Sequence, residues 1–82
     1  MTEELRVLRL EIAEMVFKAR KEKGISQVHL AKLVGLKPQS IARLETGKIT
    51  LSINKMWDIA WALGKKLRYE LVIPAKARIQ KP

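Results

Sequence analysis

Cysteine is absent from the chain and histidine occurs once, as His29. No disulfide frame or thiolate metal site can form, and one imidazole cannot assemble a metal cluster alone. Aromatic residues are nearly as scarce, with Phe17, Trp57, Trp61 and Tyr69 the whole set. A basic binder of RNA or of a membrane surface would interleave aromatics with its basic residues, and here only Phe17 is near them. No apolar run approaches the roughly 20 residues that span a bilayer. Thr2, Glu3 and Glu4 stand where a signal peptide would be basic. A soluble, cytoplasmic protein with no membrane partner is expected. Paired carboxylates on one helical face, a Ser-His-Asp set and a Gly-rich phosphate loop are missing too, which argues against an enzyme and against a cofactor.

What is present is one small domain, since 82 residues allow a single modest core. Residues 1–73 are expected to form it, with 74–82 as a basic tail. The formal charge of +9 points to a polyanionic partner, although a membrane surface or an acidic protein would also satisfy it. The charge is regional. Residues 18–48 hold Lys18, Arg20, Lys21, Lys23, Lys32, Lys37, Arg43 and Lys48 against only Glu22 and Glu45, whereas residues 1–17 are locally acidic.

Apolar periodicity predicts four helices. Leu5, Leu8, Ile12, Met15, Val16 and Ala19 recur at steps of three and four on a long first helix, with Thr2 as cap and Gly24 as stop. Ser26 caps a second helix with Leu30, Ala31 and Val34 on one side, closed by Gly35. Pro38 sits in the first turn of a third, which Ile41 and Leu44 would bury and Gly47 would stop. Ser52 caps a fourth, with Met56, Ile59, Ala60 and Leu63 inward and Gly64 at its end. From Leu67 to Ile73 the period changes to two, which predicts a strand stopped by Pro74.

The segment QVHLAKLVGLKPQSIARLET carries the most specific signal. Two helices meet at a steep angle across a short turn when a small residue lies at their approach, glycine occupies the turn and apolar residues fill the wedge. Ala31, Gly35, Ile41 and Leu44 supply these in order, with Gly24, Ser26 and Gln27 before them and Glu45, Thr46, Gly47 and Lys48 after. Over about residues 12 to 64 the chain resembles the Cro- and cI-like helix-turn-helix family, the xenobiotic-response-element type, with the helix-turn-helix at 26–46. The resemblance implies a mostly α, four-helix lambda-repressor-like domain that lays the helix 38–46 in the major groove and binds a palindromic operator as a dimer. It implies that Gln27 contacts phosphate, that Gln39, Ser40 and Arg43 face bases, and that Arg20 and Glu45 form an internal ion pair.

Side-chain chemistry agrees with those roles. Gln39 and Arg43 are four apart, hence on one face, and outside the Ile41 and Leu44 stripe. Glutamine can bond adenine and arginine can bond guanine in bidentate fashion, and Ser40 is adaptable. Gln27 opens the second helix, where free N–H groups favour a phosphate. Lys37 and Lys48 flank the recognition helix and suit neighbouring phosphates. Lys37 followed by Pro38 departs from the usual Ser or Thr cap, and proline cannot donate a hydrogen bond there. Lys18, Lys21 and Lys23 read as a solvated face and His29 as an ordinary surface residue.

Trp57 and Trp61 lie beside the inward face of the fourth helix. Either the first helix covers them through Leu5, Leu8 or Leu10, or they form a protein interface. The strand 67–73 favours an interface, because a lone strand leaves its N–H and C=O groups unpaired and its symmetry mate could pair them. One of its faces is Leu67, Tyr69, Leu71 and Ile73. A helical core ending in such a strand is similar to HigA- and HipB-like antitoxins. The expected function is a sequence-specific regulator of double-stranded DNA, a homodimeric repressor; the alternative is an antitoxin that neutralises a toxin protein and autoregulates its operon.

Overall fold

A computed structural model describes residues 2–68, which form four helices: α1 (Glu3–Lys23), α2 (Gln27–Val34), α3 (Pro38–Glu45) and α4 (Ile53–Ala62). Local chemistry fixes where they start. The Thr2, Ser26 and Ser52 side chains accept from the backbone N–H groups of Leu5, His29 and Lys55. Each bond satisfies one donor that a helix start would otherwise leave orphaned. The start of α3 differs: Lys37 is its N-cap without a side-chain bond, and Pro38 follows, where a missing N–H costs nothing.

Between α2 and α3 the chain turns through Gly35, whose φ of 69° places it in the left-handed region that a side chain would disfavour. The Leu36 N–H reaches back to the Ala31 carbonyl at 2.8 Å, and Lys55 Nζ donates to the Val34 carbonyl at 2.9 Å. The end of α2 is thereby satisfied from its own turn and from α4. Helix α3 packs on α1 and α2, and α4 packs on α2. Leu30, Ile41, Leu44 and Ile59 are fully buried at the junction, each worth about 1.5–3 kcal/mol of transfer free energy. Val16, Ala19, Ala31, Val34 and Leu63 complete the core, and Ile12, Leu36, Leu51 and Met56 close its margin.

The inward line of α1 differs from the one its periodicity predicts. Ala13, Val16, Ala19 and Arg20 are buried, whereas Met15 is 62% exposed and Leu5 and Leu8 are exposed as well. Residues turn about 100° each along a helix, so a line through Ala13, Val16 and Arg20 leaves Met15 to one side. Leu5 and Leu8 precede Ile12, where α1 first meets the core cluster. At the other end, Leu67 and Arg68 carry no regular structure. Tyr69, Leu71 and Ile73 of the expected strand, and the tail 74–82, lie outside the described residues.

Candidate nucleic-acid interface

Helix α3 has two unlike sides. Ile41 and Leu44 are fully buried, while Gln39 and Arg43 are exposed and Ser40 is half-buried at the boundary. The wedge formed with α2 therefore orients the outer side: burying Ile41 and Leu44 forces the i, i+4 pair Gln39 and Arg43 outward together. Lys37 is exposed at the start of α3 and Lys48 just past its end. A lysine at a helix N-terminus opposes the macrodipole, and an approaching phosphate would relieve that conflict. Arg43 carries its charge in the last turn, where the dipole favours it.

Beneath this face lies a buried network. Arg20 Nε and Nη2 donate to Glu45 Oε2 and Oε1 at 2.7 and 2.9 Å, and Nη1 donates to the Ile25 carbonyl at 2.8 Å. The side chains are 7% and 2% exposed. A planar fork on a carboxylate is the strongest ion-pair geometry available to arginine. Hydrogen bonding to Glu45 holds the Arg20 pKa above the ordinary arginine value, against the opposing effect of burial. The guanidinium also lies 5.5 Å from the centroid of the Phe17 ring, with Lys21 Nζ at 5.7 Å from the same ring. The pair joins the C-terminal part of α1 to the last turn of α3, so it fixes the helix that presents Gln39 and Arg43.

Gln27 is drawn into the same network, its Nε2 donating to Glu45 Oε1 at 3.0 Å. Sequence reasoning did not anticipate this bond, and 18 residues of separation give no signal of it. One amide proton is thus engaged, and a primary amide has two. The second proton, together with the orphan N–H groups of the first turn of α2, remains for an anion. A shallow depression lined by Lys21, Gly24, Ser26, Gln27 and Val28 opens at this point. Lys21, read from sequence as part of a solvated face, borders it. Lys18 is exposed and paired with Glu14 at 2.9 Å, and Lys23 and His29 are exposed.

The tryptophans are not covered by α1: Trp57 is 57% and Trp61 78% exposed, and Leu5, Leu8 and Leu10 are themselves exposed. Ile53, also exposed, extends the ridge to three residues at steps of four. The sequence reading missed Ile53, although its spacing of four from Trp57 is the signal that places it on the same face. Among the described residues no cluster of His, Asp and Glu could hold a metal ion, and no helix is long and apolar enough to cross a membrane.

A helix-turn-helix family model matches residues 16–69. The chain belongs to the helix-turn-helix family of DNA-binding transcription regulators, of the xenobiotic-response-element type. Among characterised proteins it is similar to endothelial differentiation-related factor 1 homolog of Danio rerio, 41% identical over 69 residues, which are 82% of this chain and 47% of that one. Multiprotein-bridging factor 1b of Arabidopsis thaliana is 38% identical over 58 residues, 71% of this chain and 41% of that one. The chain thus spans less than half the length of these relatives. Among solved structures, the clp gene regulator ClgR from C. glutamicum superimposes with a TM-score of 0.71 at 25% identity, covering 73% of this chain and 77% of that one.

Proposed function

We propose that this chain binds double-stranded DNA with sequence specificity, as a cytoplasmic homodimeric repressor at a palindromic operator. The observation that carries the reading is the outward pair Gln39 and Arg43 on a helix whose other side is fully buried. In this reading Arg43 bonds guanine, Gln39 bonds adenine and Ser40 adapts to the neighbouring base. Gln27, Lys37 and Lys48 hold phosphates and set the register. Arg20 and Glu45 are structural and never touch DNA. The name of ClgR, a gene regulator, supports a transcriptional role.

One recognition helix reads only about four base pairs, so two must act together about 34 Å apart to single out a genomic site. In this reading the segment 67–73, where Leu67, Tyr69, Leu71 and Ile73 alternate with Arg68, Glu70 and Val72, is the two-fold contact, with Trp57 and Trp61 as further interface residues. Selection of bound fragments from random duplexes tests the whole reading. It should return an inverted repeat, and affinity for that repeat should fall steeply as salt rises, because phosphate contacts release counterions. Recovery of no common sequence, or affinity indifferent to salt, would refute it.

The exposed tryptophan ridge favours a second reading, in which the chain also takes a different protein as partner. An antitoxin that neutralises a toxin is one such case, and the bridging role in the name of the Arabidopsis relative is another. Binding of a heterologous protein that the Trp61→Glu variant loses, with DNA affinity kept, would select it over the simple repressor.

A further inference from the structure

The N-terminal part of α1 precedes the family-matched residues 16–69, yet it reaches the turn that follows the recognition helix. Arg9 Nη1 donates to the Lys48 carbonyl at 3.2 Å, across 39 residues of sequence. The same guanidinium leaves Nε buried without a partner. Its neighbour Leu10 covers Gly47: a Cβ at that glycine would lie 2.8 Å from Leu10 Cδ2, and its φ of 74° disfavours any side chain as well. The turn is clasped on its other side by α3 itself. The Lys48 N–H donates to the Arg43 carbonyl at 3.0 Å, and the Thr46 hydroxyl donates to the same carbonyl at 3.1 Å.

We infer that Arg9 and Leu10 form a brace that sets the turn 46–48, so that Arg9 is a positioning residue for the Lys48 phosphate contact. Two hydrogen bonds in series, Arg9 to the Lys48 carbonyl and the Lys48 N–H to the Arg43 carbonyl, connect α1 to the end of the recognition helix. Arg9 itself faces the turn and need not meet DNA. The brace fixes where the Lys48 backbone stands, which decides whether its side chain meets a phosphate without first ordering the loop. This rests on the reading of Lys48 as a phosphate contact.

Two measurements test it. In the free protein, Arg9→Met should raise the exchange rate of the Lys48 amide at least about tenfold and leave the Ile41 and Leu44 amides unchanged. Leu10→Ala, which alters no charge, should shift the Lys48 amide in the same direction, and Arg6→Met, which removes a charge one turn earlier, should not. On duplex DNA, Lys48→Ala should lower the salt slope by about 0.9. Adding Arg9→Met to Lys48→Ala should then cost less than about twofold more. Unchanged Lys48 exchange in both Arg9→Met and Leu10→Ala would overturn the brace while leaving DNA binding untouched. Losses that multiply in the double variant, or an Arg6→Met that reproduces Arg9→Met, would also overturn it by assigning Arg9 a charge effect. A wild-type protein that binds no duplex would remove the DNA reading, and the role for Lys48 with it, even if exchange responded.

Discussion

Helices α3 and α4 bury the same kind of stripe and expose opposite kinds of face. Inward, α3 places Ile41 and Leu44 and α4 places Ile59, all at or near zero exposure. Outward, α3 presents Gln39 and Arg43, whereas α4 presents Ile53, Trp57 and Trp61. A polar outer face is what water alone would select, so on α3 it gains meaning only from its place in a helix-turn-helix. An apolar outer face is informative by itself. Two indoles at steps of four form a patch that a monomer leaves exposed only at a cost in solubility. The chain thus offers one surface suited to a polyanion and a separate one suited to protein.

The division depends on Glu45 belonging to the inside, and its removal should have the largest effect. Glu45→Ala strands a buried guanidinium and releases Gln27, so stability should fall by about 3–5 kcal/mol. The pH dependence follows from the direction of the Arg20 shift. A raised pKa means the charged pair contributes throughout the range below the unfolded value and is lost only as pH rises through the folded one. Alkali up to about pH 11 should therefore leave this pair intact. Thermal melting of the variant checks the first point. An unchanged melting temperature with altered operator preference would move Glu45 to the reading face and dissolve the contrast.

Next in size is the test of the apolar side. Removing residues 66–82 should give a folded monomer, since the core from Val16 to Leu63 is retained. Operator affinity should drop by orders of magnitude, because two half-sites no longer bind as one, while affinity for random duplex should fall far less. Sedimentation and titration on both DNAs measure this. A truncated chain that remains a dimer with full operator affinity would assign the interface to the tryptophan ridge or to α1 instead.

Much of this contrast is legible in the sequence, and the illegible part has a common cause. Thr2, Ser26 and Ser52 announce helix starts because capping acts within three residues, and Pro38 and Gly35 punctuate the turn for equally local reasons. Periodicity also places Ile41 and Leu44 inside and Gln39 and Arg43 outside. It misplaces Met15, since a stripe of three- and four-residue steps has two possible edges and only the packing partners choose between them. It cannot say that contact with the core cluster begins at Ile12 and leaves Leu5 and Leu8 exposed. Gln27 with Glu45, and Arg9 with Lys48, join residues far apart in sequence, and no local rule pairs them. Whether α1 covers the tryptophans is likewise a question about how helices meet.

The polar side is sharpened by Arg43→Ala. If Arg43 reads a base as proposed, losing that bidentate contact should cost about 1–3 kcal/mol at the selected site and relax preference at one position. Affinity for random duplex should change only by the loss of one charge. Competition binding against single-base variants of the selected site reads both. Equal proportional losses on specific and random DNA would make Arg43 a phosphate contact and leave base reading to Gln39 and Ser40.

The smallest expected effect marks where the proposed DNA-facing surface ends. Lys18 is basic, exposed and close in sequence to Lys21, which borders the depression at the start of α2. Its pKa is raised, first by its hydrogen bond to Glu14 and then by the charge of that carboxylate. A partner one turn away on the same helix already neutralises it, and such exposed pairs contribute little to stability. Lys18→Met should leave the melting temperature and the salt slope of operator binding where they are. A slope lower by about 0.9 would instead count Lys18 among the phosphate contacts. The footprint would then run from α3 onto the outer face of α1, and regional charge, more than the geometry of the helix-turn-helix, would set the boundary between the two surfaces.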